Sequence, residues 1–146
     1  MERKEFIKTC GIACLGGAAL PVLLQSCSSA NYFAVNTFTD NKITISKSEF
    51  FYLKKEQNVE RKFVLVKLQK FNYPICVYKM GEENFSALLL ECTHKGCELH
   101  PQPDYLVCPC HGSEFTNTGV VQNPPAERNL QTFKTLTDNE NIYVQL

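Results

Sequence analysis

Two short runs limit what this chain can fold into: Cys92-Thr93-His94-Lys95-Gly96-Cys97 and Cys108-Pro109-Cys110-His111-Gly112-Ser113. Each places a Cys and a His within three residues of one another and adds a second Cys that a four-ligand site does not need. If both runs hold one metal centre, two loops must converge on it across the 13 residues between His94 and Cys108. Zinc sites also combine Cys and His, typically as paired C-x₂₋₄-C and H-x₃₋₅-H. Neither run has that form, and zinc would leave Cys97 and Cys110 without a role. A disulfide-stapled domain without metal explains the cysteines but gives no reason for a His beside each pair.

The pattern C-x-H-x-G-C followed by C-P-C-H-G-S resembles the Rieske [2Fe–2S] family, in which two His replace two Cys on one of the two irons. By position, the resemblance implies that Cys92 and Cys108 bind one iron and His94 and His111 the other. It implies a disulfide between Cys97 and Cys110 that ties the two loops together. Gly119-Val120-Val121, continuing through Asn123-Pro124-Pro125-Ala126 to Leu130, is similar to the family's third loop, which covers the cluster. Ser113 stands where the family's high-potential branch has a hydroxyl that donates to a bridging sulfide. Phe115 stands where that branch carries a Tyr bonded to a ligand thiolate, so one of the two tuning hydroxyls is missing. Lys95 replaces the Leu of the quinol-docking tip. The likeness spans roughly residues 84 to 146.

The N-terminus reads as an export signal over residues 1–26. Arg3, Lys4 and Lys8 precede a small, apolar stretch from Gly11 to Leu24. That is the arrangement of a secretory signal. At about 14 residues it falls short of the ~20 needed to span a bilayer. Leu24-Gln25-Ser26-Cys27 resembles a lipobox, with Cys27 as the lipidated residue, and residues 27–41 read as lipidated N-terminus and tether. Glu2-Arg3-Lys4-Glu5-Phe6-Ile7-Lys8 resembles a twin-arginine signal with Lys4 at the second Arg, so ordinary secretion stays open as the route. The physical case for folded export is that a metal site does not exist in the unfolded chain.

The eight cysteines fit this plan. Cys10 and Cys14 leave with the signal, Cys27 carries lipid, four belong to the two runs, and Cys76 remains as a small core hydrophobe. A disulfide also needs an oxidising compartment. His100, the remaining histidine, reads as a surface residue of the loop Glu98–Asp104.

Residues 28–146 carry 12 Lys and Arg against 13 Asp and Glu, with no basic patch for nucleic acid. Candidate strands are 42–46, 49–53, 61–68, 74–79, 85–91, 105–108, 120–122, 130–136 and 141–146, short and rich in Val, Ile, Tyr and Phe. Residues 61–68 alternate partly, which suits one buried face. Residues 54–60 read as a polar loop, and 136–142 as a hairpin turn. The expected class is all-β: a Rieske-like antiparallel β-sandwich or barrel over residues 42–146, with an inserted cluster subdomain at about 87–121.

The implied function is a single-electron carrier with one Rieske [2Fe–2S] cluster, tethered to a membrane on the exported side. Its expected partners are quinol- or cytochrome-linked redox proteins, in a quinol–cytochrome or arsenite-oxidase-like complex, with no small-molecule substrate site of its own. The alternatives are a ferredoxin-type partner of an oxygenase, which would normally lack Cys97 and Cys110, and a zinc-stabilised envelope binding module. The catalytic subunit of an oxygenase is excluded, because its 2-His-1-carboxylate iron site needs more histidine than His100.

Overall fold

The computed structural model describes residues 31–146. The expected export signal, the lipidation site Cys27, and Cys10 and Cys14 lie outside the described residues. Thirteen strands and one 3-10 turn make up the described part: β1 (Asn36–Thr39), β2 (Lys42–Ser46), β3 (Phe51–Lys54), β4 (Gln57–Glu60), β5 (Phe63–Val66), β6 (Ile75–Lys79), β7 (Phe85–Leu89), β8 (His100–Pro101), β9 (Tyr105–Val107), β10 (Glu114–Thr116), β11 (Val121–Asn123), β12 (Thr132–Thr137) and β13 (Asn141–Gln145). The expected all-β class is the observed one. No helix among the described residues is long and apolar enough to cross a membrane.

A seven-stranded antiparallel sheet in the order β1-β2-β13-β12-β7-β6-β5 forms the base. Its centre is buried on both faces. Val64, Val66, Ile75, Val77, Phe85, Ala87 and Leu89 point into one core with Ile43, Ile45, Phe50, Ile142 and Val144. Their alternate neighbours Leu65, Cys76, Tyr78, Leu88 and Leu90 point into a second core. Strands buried on both faces read as continuous apolar runs rather than alternating ones. This corrects the single buried face expected for residues 61–68. The second core is shared with a four-stranded sheet, β11-β10-β9-β8, through Leu106 and Phe115, and is completed by Leu99, Ala126 and Leu130 from the segments beside it.

Four local expectations differ. Residues 54–60 form a hairpin: β4 pairs with β3 from Phe51↔Glu60 to Lys54↔Gln57. Most of this ribbon is exposed, so its second strand carries no apolar alternation to read. The strand expected at 49–53 starts at Phe51, because Lys47–Phe50 forms the 3-10 turn, with Ser46 Oγ accepting from Ser48 N–H. Residues 31–41, within the expected tether, join the sheet: Ala34 N–H donates to Leu65 O, Leu65 N–H donates to Tyr32 O (both 2.8 Å), and β1 pairs with β2. The open edge of β5 supplies the groups that capture this segment. His100, expected in a loop, lies on the two-residue strand β8 and is exposed.

The expected turn between the last two strands is present. Asp138 accepts from the Tyr143 hydroxyl (2.6 Å) and from the N–H groups of Glu140 (2.8 Å) and Asn141 (2.7 Å). These bonds, the Tyr143 hydroxyl first, hold its carboxyl down at about 2. In the unfolded chain an Asp titrates near ~3.9. A depressed carboxyl therefore stabilises the fold above about pH 4 and loses that effect as pH falls through about 2. Thermal melts should show Asp138→Asn less stable than wild type at neutral pH, with the gap closing between pH 4 and 2.

Gly119 has φ +87°, and a Cβ there would sit 3.0 Å from Leu88 Cδ2 and 3.3 Å from Thr132 Cγ2. Left-handed backbone costs about 1–2 kcal/mol for an L side chain. Gly119→Ala should lose at least about that much stability in a denaturant titration.

Candidate metal centre

The two Cys/His runs fold into loops with the same hydrogen-bond plan. In the first, Gly96 N–H donates to Cys92 O (2.8 Å) and Cys92 N–H donates to Cys97 O (2.8 Å). In the second, Gly112 N–H donates to Cys108 O (3.0 Å) and Cys108 N–H donates to Ser113 O (2.8 Å). Each loop closes only if its fourth residue after the leading Cys turns left-handed, and Gly96 (φ +70°) and Gly112 (φ +79°) do so. That conformation favours glycine. The glycine in each run was the available sequence signal for this plan.

The loops present their side chains side by side. The His94 and His111 rings lie 5.1 Å apart, centre to centre, in an edge-on arrangement. His111 is exposed and His94 half-buried. Cys92 and Cys108 are free thiols and almost fully buried. Cys97 and Cys110 are joined as a disulfide, with Cα atoms 6.6 Å apart. The Cys108 sulfur lies within 4.8 Å of both. The disulfide sulfurs have no thiolate to offer, so the donors the two runs leave are the buried Cys92 and Cys108 thiols and the less buried His94 and His111 imidazoles.

Burial pushes the Cys92 thiol up. The neighbouring Cys108 thiol adds to this, while the His94 backbone and the Ser113 hydroxyl oppose it. Without metal the thiol form is therefore favoured, and coordination as thiolate must release the proton.

The segment from Gly119 to Leu130 lies against both loops. Ala126 N–H donates to the fully buried Ser113 Oγ (3.0 Å). Thr93 Oγ1 donates to Arg128 O (2.5 Å), and the Arg128 guanidinium reaches Thr93 O at 3.4 Å. Leu130 N–H donates to Gly119 O (2.9 Å), and Val121 N–H donates to Asn129 Oδ1 (3.1 Å). The contacts of Thr93, Arg128 and Asn129 were not legible beforehand; polar residues in a loop carry no periodicity that names a partner.

The other residues singled out in the sequence are accounted for. Phe115 is fully buried in the second core. Lys95 is exposed on the first loop. Cys76 is fully buried on β6, as a core residue should be. His100 is exposed on β8, paired opposite Val107. An open cleft of about 560 Å³ runs beside the first loop, between Thr93–Lys95 and Arg128–Gln131.

This donor set suits a Rieske-type centre. Thiols and imidazoles are present in equal number, segregated by depth, on loops held together by a disulfide that is separate from the donors.

Comparison with known proteins agrees. Residues 49–134 match the Rieske [2Fe-2S] domain model. The chain is 38% identical over 55 residues to the cytochrome b6-f complex iron-sulfur subunit of Prochlorococcus marinus, covering 36% of this chain and 31% of that one. It is 42% identical over 55 residues to the ubiquinol-cytochrome c reductase iron-sulfur subunit of Rickettsia typhi, with the same coverage. The match thus spans about a third of these curated relatives. Among solved structures, the plasma membrane Rieske protein PetC3 of Synechocystis PCC 6803 aligns with TM-score 0.52 at 35% identity, over 58% of this chain and 87% of that one. A hyperthermophilic respiratory Complex III chain aligns over 95% of both chains with TM-score 0.52 at 18% identity, a likeness of fold. The buried thiols, the paired imidazoles, the separate disulfide and the domain match together place this chain in the Rieske [2Fe-2S] family, with a [2Fe-2S] cluster as its cofactor.

Proposed function

We propose that this chain is a single-electron carrier of the cell envelope in which Cys92 and Cys108 hold one iron of the cluster and His94 and His111 the other. The carrying observation is the depth ordering of the donors: buried thiols, and imidazoles at the surface where a partner can reach them. When bound, the cluster accepts and releases one electron at a time, and neutral imidazoles in place of two thiolates ease its uptake.

The protein's contribution is the energy of that electron. Hydrogen bonds to the sulfurs favour the reduced state. Ser113 can make one: its oxygen accepts from Ala126 N–H, which leaves its own proton to donate to a sulfur, and the same hydroxyl opposes the burial that pushes the Cys92 pKa up. Phe115 occupies its buried position with no hydroxyl at all. One tuning bond instead of two places the potential below that of the quinol-oxidising branch. Exposed Lys95 puts a solvated charge on the docking loop, where it suits an acidic surface and would steer encounter.

The partners in this reading are quinol- or cytochrome-linked redox proteins. The b6-f and ubiquinol-cytochrome c reductase subunits among the relatives support that choice. The export signal over 1–26 and lipid on Cys27 would hold the domain at the membrane.

The test is an EPR-monitored redox titration of the cluster-loaded protein. The expected result is a rhombic [2Fe–2S] signal with a midpoint clearly below the Rieske upper end of about +300 mV. Phe115→Tyr should raise the midpoint and Ser113→Ala lower it; if neither moves it, the tuning account fails. A colourless, iron-free protein would refute the electron-carrier reading.

The disulfide is a staple in this account. Cys97→Ser should form the cluster poorly or lose it severalfold faster on heating, followed by visible absorbance. An equally stable cluster in that variant would remove the staple role.

A further inference from the structure

Tyr78 stands on β6 with its ring in the core shared by the two sheets, 1% exposed and tilted against Phe63 at 5.4 Å. Its hydroxyl lies 2.8 Å from Gln102 O and 3.0 Å from Tyr105 O. These carbonyls mark the two ends of the turn between β8 and β9, and Gln102 N–H itself donates to Tyr105 O (2.8 Å). A phenol has one proton to give, so the hydroxyl shares it between the two carbonyls. Cys76 is the next residue on the same face of β6 and is buried in the same core. Burial keeps that hydroxyl protonated far above the usual range, so it remains a donor throughout the pH range of a folded protein.

The position of this contact matters more than its strength. Tyr105 opens β9, which runs through Leu106 and Val107 directly into Cys108. Strand β9 is also the inner strand against which β8 and β10 are registered, with Leu106 opposite both Pro101 and Phe115. Among the described residues, no other side chain of the seven-stranded sheet hydrogen-bonds the four-stranded one. Apolar packing through Leu106 and Phe115 is non-directional. It holds the sheets together without defining how far β9 slides along its axis.

We propose that Tyr78 is a positioning residue for the cluster: its hydroxyl fixes the start of β9, and through three residues of strand the depth at which Cys108 meets the iron. The proposal rests on Cys108 being a ligand.

The experiment compares Tyr78→Phe with Val77→Ala in the cluster-loaded protein. Val77 is the adjacent residue on the opposite face, buried in the other core. Tyr78→Phe keeps the ring and removes only the donor. Its Gln102 amide should exchange about fivefold faster, the equilibrium equivalent of one neutral hydrogen bond. Its EPR lines should broaden, because Cys108 samples a range of depths. Val77→Ala should melt earlier with the wild-type line shape. Wild-type exchange in Tyr78→Phe overturns the proposal. Faster exchange with an unchanged line shape makes Tyr78 a purely structural contact and overturns it too, as does equal broadening in Val77→Ala. A wild-type protein with no [2Fe–2S] signal would instead refute the ligand reading, while the Gln102 amide would still report whether the latch exists.

Discussion

Everything in this fold depends on the double burial of strands β5 to β7. Successive residues on a strand point to opposite faces. Here both faces find a core, so each position belongs to one of two packing environments by parity alone. Ile75, Val77, Ala87 and Leu89 build the base. Cys76, Tyr78, Leu88 and Leu90 build the second core, which Cys92 and Cys108 of the two Cys/His loops also enter. A one-residue slip in register would exchange the two sets. It would put Val77 under the four-stranded sheet and take the Tyr78 hydroxyl away from it.

The two Cys/His loops are near-copies in backbone terms. Each is closed by the same pair of hydrogen bonds around its leading Cys and by a left-handed glycine. The copies differ in where the second Cys falls, five residues after Cys92 but two after Cys108. That offset lets Cys97 and Cys110 meet as a disulfide while Cys92 and Cys108 stay free and buried. The third segment, Gly119 to Leu130, then closes over the pair by bonding to Ser113 through Ala126 and to Thr93 through Arg128. The result is a frame in which the two loops are braced by the disulfide and by the third segment; bonds of this kind around a metal site orient its ligands.

Much of this was legible in advance. The strands from Lys42–Ser46 onward were readable wherever Val, Ile, Phe or Leu clustered, and the Asp138 turn announced itself by composition. The elements that escaped were those without such a signal. Strand β4 is a largely exposed ribbon, β8 has two residues, and β10 has three interrupted by a register shift. Strand β1 lies in a stretch that reads as a tether, because its place in the sheet comes from pairing with β2 and not from its own burial.

What the sequence determined by itself was the local pattern: two Cys/His runs, each with a second Cys and a glycine, and with them the family and its [2Fe-2S] cofactor. Spacing is local, and local chemistry survives in a linear reading. The tertiary structure alone decided which core each residue of β5–β7 enters. It also decided that Thr93 meets Arg128, that Ser113 meets Ala126, and that a tyrosine 30 residues before Cys108 reaches the strand leading into it. Those partners are far apart along the chain. They meet only when the sheets assemble, and sheet order and register are properties of the whole set of strands.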